Sequence, residues 1–466
     1  MMSLNQPSLP RTGAASPATA RRFPRFVTRV ACAGLLAGGC SAPHPASGPA
    51  PAEWSAQSSA GEIAGWALQE CRRAPGGPAP CMERTLVGLI GQAGVAKSME
   101  VLDTLLRVDA GVRQNGHELA HAVGIAAYRS PETMAAAFAA CPATQGAGCH
   151  HGVVQGYFLA LVREGRLPGT PELDAVCAPH RGTLFLYGQC GHGMGHGLMA
   201  VHGNHVPHAL EACDQASDPY IRQGCYSGIF MENILLVTHP HHSTEGHAAT
   251  GRGDGPPAGD GHGEHDGDHA HGGDGSADGH GMAHGAWKAL DPDDPLYPCD
   301  AVAPAYQPSC YVMQTGAILY FNHGDLQATA RACEGAPEPM RPICFGSLGR
   351  DVIAIVDQDH RRSIESCARV DGFAGGRGGV WCLVGAVQNL VNLAADADEG
   401  MRFCRLVSGD PHKSECYRAV GEQLLTLAPG DEQRGRWCER AEPGFVAACR
   451  RGARLAGAAA DPARRR

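Results

Sequence analysis

The chain lacks three features that would point to familiar classes of protein. No stretch of its 466 residues contains the roughly 18 uninterrupted apolar residues that a membrane-spanning helix needs. Basic residues are not in excess, since the formal net charge is -9, and DNA or RNA is therefore not an expected partner. No CxxCH segment occurs, so covalently attached haem is not expected either.

The composition allows a folded core without deciding its architecture. Apolar residues make up 43% of the chain and charged residues 18%, which is ordinary for a folded protein. The length fits two or three domains or one long array of repeats. Local patterns must decide between them.

The N-terminal region is expected to export the protein. Four arginines precede a short apolar run at 30–36, as in a signal peptide: Arg21, Arg22, Arg25 and Arg29. Three small residues at 37–39 then stand directly before Cys40, which resembles a bacterial lipoprotein cleavage site. We therefore expect Cys40 to be acylated and the protein to be anchored at the periplasmic face of the outer membrane or at the cell surface. A plain secretory signal with an incidental cysteine is the alternative.

Cysteine spacing reveals a repeat. Without Cys32 of the signal and Cys40 of the anchor, eighteen cysteines remain. They fall into nine successive pairs: Cys71–Cys81, Cys141–Cys149, Cys177–Cys190, Cys213–Cys225, Cys299–Cys310, Cys333–Cys344, Cys367–Cys382, Cys404–Cys416 and Cys438–Cys449. Most steps from one pair to the next measure 34 to 37 residues, the length of a helix-turn-helix unit. The two longer steps are explained by an insertion and by a unit without cysteines at 97–130.

This spacing predicts an all-α fold, a solenoid or toroid of about ten helix-turn-helix repeats. In most repeats one disulfide should tie the end of the first helix to the start of the second. Closing a loop of about a dozen residues stabilises a hairpin by about 2 to 3 kcal/mol, and such bonds persist in oxidising compartments. Zinc–cysteine sites are the alternative, but none of the pairs has CxxC spacing.

Polar residues recur at matched positions of four successive second helices, counted from the cysteine or its equivalent. In chain order they are His117 and His121, His151, His192 and His196, and Glu232. Residues four apart share one helix face, so these six side chains are predicted to converge on one or two metal ions. Five imidazoles and a carboxylate suit Zn, Fe, Cu or Ni better than Ca or Mg. Histidines that only hydrogen-bond within a polar seam are the alternative.

Glycines accompany these histidines: Gly152, Gly193, Gly195, Gly197 and Gly228. Each costs about 1 kcal/mol relative to alanine inside a helix. We therefore expect them to serve close helix approach or backbone access beside the ligands.

Residues 117–121 also match HExxH, the helix motif of zinc proteases in which two histidines bind the metal and the glutamate activates water. Glu118 would then be a general base. The equivalent helix repeats the histidine spacing at His192 and His196 without a glutamate. The shared register, rather than Glu118, is therefore expected to define the site.

A segment at 238–288 interrupts the repeats and holds ten histidines among glycine, aspartate and proline. Almost nothing in it is apolar, so it is predicted to be disordered. It can bind divalent ions weakly and in number, or be a solvated insertion without a dedicated role.

The repeats after this insertion lack histidine pairs. Polar residues at or near the matched positions are Gln314, Ser347, Arg350 and Gln388. This half is expected to be a scaffold or to bind a protein partner.

The paired-cysteine hairpins with HxxxH, CHHG, CGHGMGHG and FMEN segments resemble a family of exported helical-repeat lipoproteins of bacteria and archaea, over most of the mature chain. The resemblance brings no particular activity with it. The likeness to tetratricopeptide repeats is architectural, because their aromatic signature residues are missing here.

The sequence predicts six regions of the chain and leaves three candidate functions. The regions are a signal peptide at 1–39, the lipidated cysteine and tether at 40–61, histidine-bearing repeats at 62–237, the insertion at 238–288, C-terminal repeats at 289–458 and a basic tail at 459–466. A metal-binding protein is expected, with a metal-dependent oxidoreductase or hydrolase favoured. The alternatives are a metal storage or delivery protein that uses the insertion, and a non-catalytic scaffold with structural histidines.

Overall fold

The computed structural model describes residues 53–75, 77–239 and 287–456. The predicted signal peptide, Cys40, nearly all of the histidine-rich insertion and the basic tail lie outside these ranges. The described part is all-helical, as predicted, and contains no strand. Its first helix begins at Ala60, within the stretch expected as a tether, and Trp54 already packs on Trp66 with ring centroids 5.9 Å apart.

The described ranges contain 21 α-helices. In chain order they are α1 Ala60–Cys71, α2 Pro78–Ala93, α3 Val95–Val108, α4 Ala110–Gln114, α5 Gly116–Ala127, α6 Pro131–Ala140, α7 Gly148–Arg163, α8 Thr170–Cys177, α9 Leu184–Val201, α10 Val206–Asp214, α11 Pro219–Thr238, α12 Gln307–Tyr311, α13 Thr315–Phe321, α14 Leu326–Gly335, α15 Arg341–Ile355, α16 His360–Ala368, α17 Gly378–Ala394, α18 Ala397–Leu406, α19 Asp410–Leu427, α20 Asp431–Cys438 and α21 Val446–Gly452.

Local chemistry sets the helix boundaries. At the start of α11 the carboxylate of Asp218 accepts a hydrogen bond from the backbone N–H of Tyr220 at 2.9 Å, and Pro219 occupies the first helical position. An acidic cap followed by proline satisfies an otherwise unpaired N–H and presets the backbone for a helix. The helix that begins here continues through Glu232, so its start fixes which face of α11 carries that side chain.

All nine predicted disulfides are confirmed. The paired Cα atoms lie 5.3 to 5.9 Å apart. Most bonds join the end of a first helix to the start of a second helix, as predicted. Cys299 differs because it lies in a turn-rich segment rather than in a helix. The cysteine-free unit is also helical, with α3 and α5 close to the expected positions and the short α4 between them.

The second helices form the inner layer of the array. Each contacts the second helix of the next repeat, from α5 through α7, α9 and α11 to α12, and from α13 through α15, α17 and α19 to α21. The later repeats also contact the earlier ones, since α15 meets α4, α17 meets the turn at 145–147, and α19 meets α9. Inner helices of the C-terminal half therefore lie next to the histidine-bearing helices.

Glycine allows the inner helices to approach closely, as predicted. A Cβ atom at Gly152 of α7 would overlap the backbone carbonyl oxygen of His121 in α5, and a Cβ at Gly228 of α11 would overlap that of His192 in α9. Larger residues would force these helices apart. Within the described residues no helix is both long and apolar enough to span a membrane.

Candidate metal centre

Three inner helices bring the five predicted histidines together. His117 and His121 come from α5, His151 from α7, and His192 and His196 from α9. Their ring centroids lie 4.5 to 6.0 Å apart among the contacting pairs. The convergence expected from the shared helical register is present in the structure.

Two groups of three histidines can each hold a metal ion. One group is His117, His121 and His151, and the other is His151, His192 and His196. Within each group the candidate ligand nitrogens lie within 4.8 Å of one another. His151 belongs to both groups, so the five rings form one continuous centre.

Hydrogen bonds orient the outermost rings. His117 Nδ1 lies 2.8 Å from the carbonyl oxygen of Gln145. Because a carbonyl only accepts hydrogen bonds, His117 must donate from Nδ1, which leaves its Nε2 with the lone pair. His196 Nδ1 lies 2.6 Å from a carboxylate oxygen of Glu232, and both side chains are fully buried. His196 Nε2 therefore also carries a lone pair, and metal-binding histidines are commonly held in this way.

A relay of two amides orients His151. Gln189 donates from Nε2 to Asn392 Oδ1 at 2.9 Å, so its Oε1 is the acceptor that faces His151 Nε2 at 2.7 Å. His151 then donates from Nε2 and keeps its lone pair on Nδ1. Asn392 belongs to α17, so the C-terminal repeats help to position a candidate ligand.

Ser227 orients His192. Its hydroxyl donates to the carbonyl oxygen of Gly224 at 2.8 Å, which leaves Ser227 Oγ to accept from His192 Nδ1 at 2.8 Å. The lone pair of His192 is thus on Nε2.

Burial favours the neutral form of His151, His192 and His196. It lowers the pKa of His196 to about 3, and the nearby His117 adds to the effect. Burial and the neighbouring histidines likewise lower the pKa of His151 and of His192 well below the usual 6.5. A neutral imidazole is the form that binds a metal ion. The centre is therefore suited to binding a metal ion rather than protons.

The two predicted carboxylates occupy different places. Glu232, expected as a direct ligand, is hydrogen-bonded to His196 and belongs to neither group of three. Glu118 lies on the wall of the adjoining cavity, also outside these groups. Its position beside His117 follows from their adjacency in α5.

The centre opens on one side to a cavity of about 980 Å³. His117, His151 and His192 line it, whereas His121 and His196 do not. Part of the cavity wall is apolar and comes from the segment α11 to α13, including Ile234, Val312 and Leu319. A molecule in the cavity would meet three imidazoles on one side and an apolar surface on another.

The C-terminal polar residues make local contacts. Gln314 donates to the carbonyl oxygen of Tyr297 at 2.7 Å, and Ser347 lies 2.6 Å from the hydroxyl of Thr315. Arg350 lines the cavity and pairs with its neighbour Asp351. Gln388 approaches Glu422 at 3.4 Å.

Sequence reasoning missed several residues that surround the centre: Gln145, Gln189, Met231 and Asn392. Met231 directly precedes Glu232, so its position near the histidine centre could have been predicted from the helical register. The pairing of Gln189 with Asn392 joins residues 203 positions apart, and the local sequence carries no signal for it.

His150 shows how helical phase separates candidate ligands from packing residues. It is adjacent to His151 in the chain, but its ring lies 4.3 Å from that of Phe138, on the side of the outer helix α6. Burial lowers its pKa to about 4. His150 therefore belongs to the core behind the centre.

Comparison with protein-family models, with curated proteins and with solved structures found no match to this chain.

Proposed function

We propose that this chain is an exported, lipid-anchored metalloprotein and that its metal ion acts on a small molecule bound in the adjoining cavity. The five histidines would be the ligands, one or two ions of Zn, Fe, Cu or Ni the cofactor, and Glu232 the residue that orients His196. A metal-dependent oxidoreductase or hydrolase is the favoured activity. The nine disulfides support an oxidising location, and Cys40 in its small-residue context supports the anchor.

One observation carries the metal proposal. Four of the five rings each have one nitrogen hydrogen-bonded to an acceptor, which leaves the lone pair on the other nitrogen. For His117, His151 and His196 that second nitrogen is buried, and no hydrogen-bond partner for it lies within the described ranges. Leaving such atoms unsatisfied is costly, whereas a cation bound in either group of three would satisfy two of them.

The tautomers also bear on the number of ions. A neutral His151 has one lone pair and can complete only one of the two groups at a time. We therefore expect one tightly bound ion per chain, with a second ion binding more weakly.

The cavity favours an enzyme over a storage protein. Its volume of about 980 Å³ lies at the upper end of the range for small-molecule sites. A catalytic metal needs a position open to substrate, and three of the five histidines line this cavity. Glu118, on the same wall, is the candidate proton acceptor. The ten histidines of the insertion favour storage or delivery as the second candidate, in which case deleting 238–285 would lower metal capacity.

Elemental analysis of untagged, oxidised protein tests the proposal. Dialysis against a weak chelator first removes ions held by the insertion. Wild-type protein should keep about one equivalent of a transition metal, and His121→Ala or His196→Ala should lose most of it.

His150→Ala is the matched control, because it removes a buried histidine of the same inner layer that faces away from the centre. It should retain the metal. Wild-type protein without stoichiometric metal, or equal loss in all three variants, would refute the proposal.

A further inference from the structure

The thioether of Met231 lies at the edge of the histidine centre. Its sulfur is 3.4 Å from His192 Nε2, and Met231 lines the cavity. Met231 comes from α11, one residue before Glu232, so the same helix that orients His196 also presents this sulfur.

The contact joins two atoms that both carry lone pairs. The single N–H of a neutral His192 is directed from Nδ1 to Ser227, because the Ser227 hydroxyl hydrogen is already given to Gly224. His192 Nε2 is therefore an acceptor, and a thioether sulfur is only a weak acceptor. Two acceptors held side by side are best accommodated by a cation that both can bind.

The separation matches coordination of a single ion. With metal–nitrogen and metal–sulfur bonds of about 2.0 and 2.3 Å, a nitrogen and a sulfur 3.4 Å apart subtend about 100 to 105° at the metal. This is close to the tetrahedral angle. The separation of these two atoms already suits two ligands of the same ion.

We propose that Met231 is a metal ligand and that the resident ion is copper. The inference rests on the metal centre proposed above and names its ion. Imidazole suits zinc, copper, iron and nickel, whereas a soft thioether selects Cu(I). Copper is the ion that both ligand types favour.

The test compares Cu(I) and Zn(II) binding to untagged, full-length protein. Cu(I) affinity is measured by competition with a chromophoric chelator in ascorbate, with a thiol assay to verify that the disulfides stay oxidised. Met231→Leu removes the sulfur and nearly keeps the volume. It should weaken Cu(I) binding at least tenfold while Zn(II) affinity changes less than threefold.

Met313→Leu is the matched control. Met313 lines the same cavity, but its sulfur contacts Arg350 instead of a histidine. This variant should bind both ions as the wild type does.

X-ray absorption at the copper edge gives a second measurement, and its result for the wild type does not depend on how well a variant folds. Wild-type protein loaded with Cu(I) should show one sulfur neighbour, and Met231→Leu should not. Copper binding with nitrogen neighbours alone, or equal Cu(I) affinity of the wild type and Met231→Leu, would overturn the assignment of Met231. Zn(II) binding tighter than Cu(I) would overturn the assignment of copper. Failure of the wild type to bind either ion would instead overturn the metal centre itself.

Discussion

Replacing Glu232 with glutamine is expected to weaken metal binding without weakening the fold. Glutamine keeps the size of the side chain and an oxygen that can accept from His196 Nδ1, but it removes the negative charge. The existing contact is 2.6 Å long between fully buried groups. A hydrogen bond to a charged group contributes about 1.5 to 3 kcal/mol and a neutral one about 0.5 to 1.5 kcal/mol. The difference predicts metal affinity lower by about 1 to 1.5 kcal/mol, or about 5- to 13-fold.

Metal-free protein should respond in the opposite direction. A carboxylate at 0% exposure is costly to desolvate, and a neutral replacement removes much of that cost. The free energy of unfolding of metal-free Glu232→Gln should therefore equal or exceed that of the wild type. Chelator competition measures the affinity, and urea unfolding in the presence of a strong chelator measures the stability.

Glu399→Gln is a suitable control for this experiment. Glu399 contacts His360 Nε2 at 2.7 Å, with side-chain exposures of 23% and 18%. This variant changes the same kind of pair away from the centre, so metal affinity should stay the same. If Glu232→Gln binds metal as tightly as the wild type but unfolds more easily, Glu232 is only structural and the reasoning fails.

Three further changes test the fold and its link to the centre. Gly152→Ala should lower the unfolding free energy by about 1 to 3 kcal/mol. Gly88→Ala, where nothing lies within 4 Å of the new Cβ, should be neutral or raise it by up to about 1 kcal/mol. Equal urea midpoints of the two variants would contradict the close approach of α7 to α5 at Gly152. Replacing Cys213 and Cys225 together by serine should cost about 2 to 4 kcal/mol in the same assay, and no loss would mean that the bond adds nothing to stability. Asn392→Leu should weaken metal binding about tenfold, because His151 loses its hydrogen-bonded support through Gln189. Chelator competition measures the affinity, and an unchanged affinity would show that these two hydrogen bonds do not contribute to metal binding.

The repeat architecture could be predicted because its determinants are local. Each disulfide joins residues 8 to 15 positions apart, so the pairing is visible in the sequence as a spacing. The period of about 35 residues then implies one hairpin per pair. Cys299 departs from the pattern because its segment folds as turns instead of a first helix.

The histidine centre could be predicted for the same reason. Helical phase alone separates His151, which faces the centre, from its neighbour His150, which faces Phe138. What could not be predicted depends on contacts between distant repeats. The amide relay from Gln189 to Asn392 requires α17 to lie next to the first half of the array, and neither residue stands out in its own segment.

The close helix contacts at Gly152 and Gly228 bear on which ions the proposed metal centre could accept. At Gly152 the helices of His151 and His121 meet through main-chain atoms, and at Gly228 the helix of Glu232 meets that of His192 in the same way. Peptide geometry, and not rotamer choice, therefore sets the distances between these backbones. Side chains elsewhere can vary without changing the aperture between the rings. In the metal centre proposed above, an ion too large for the space between the rings would have to push whole helices apart, so discrimination by ionic radius would depend on the backbone.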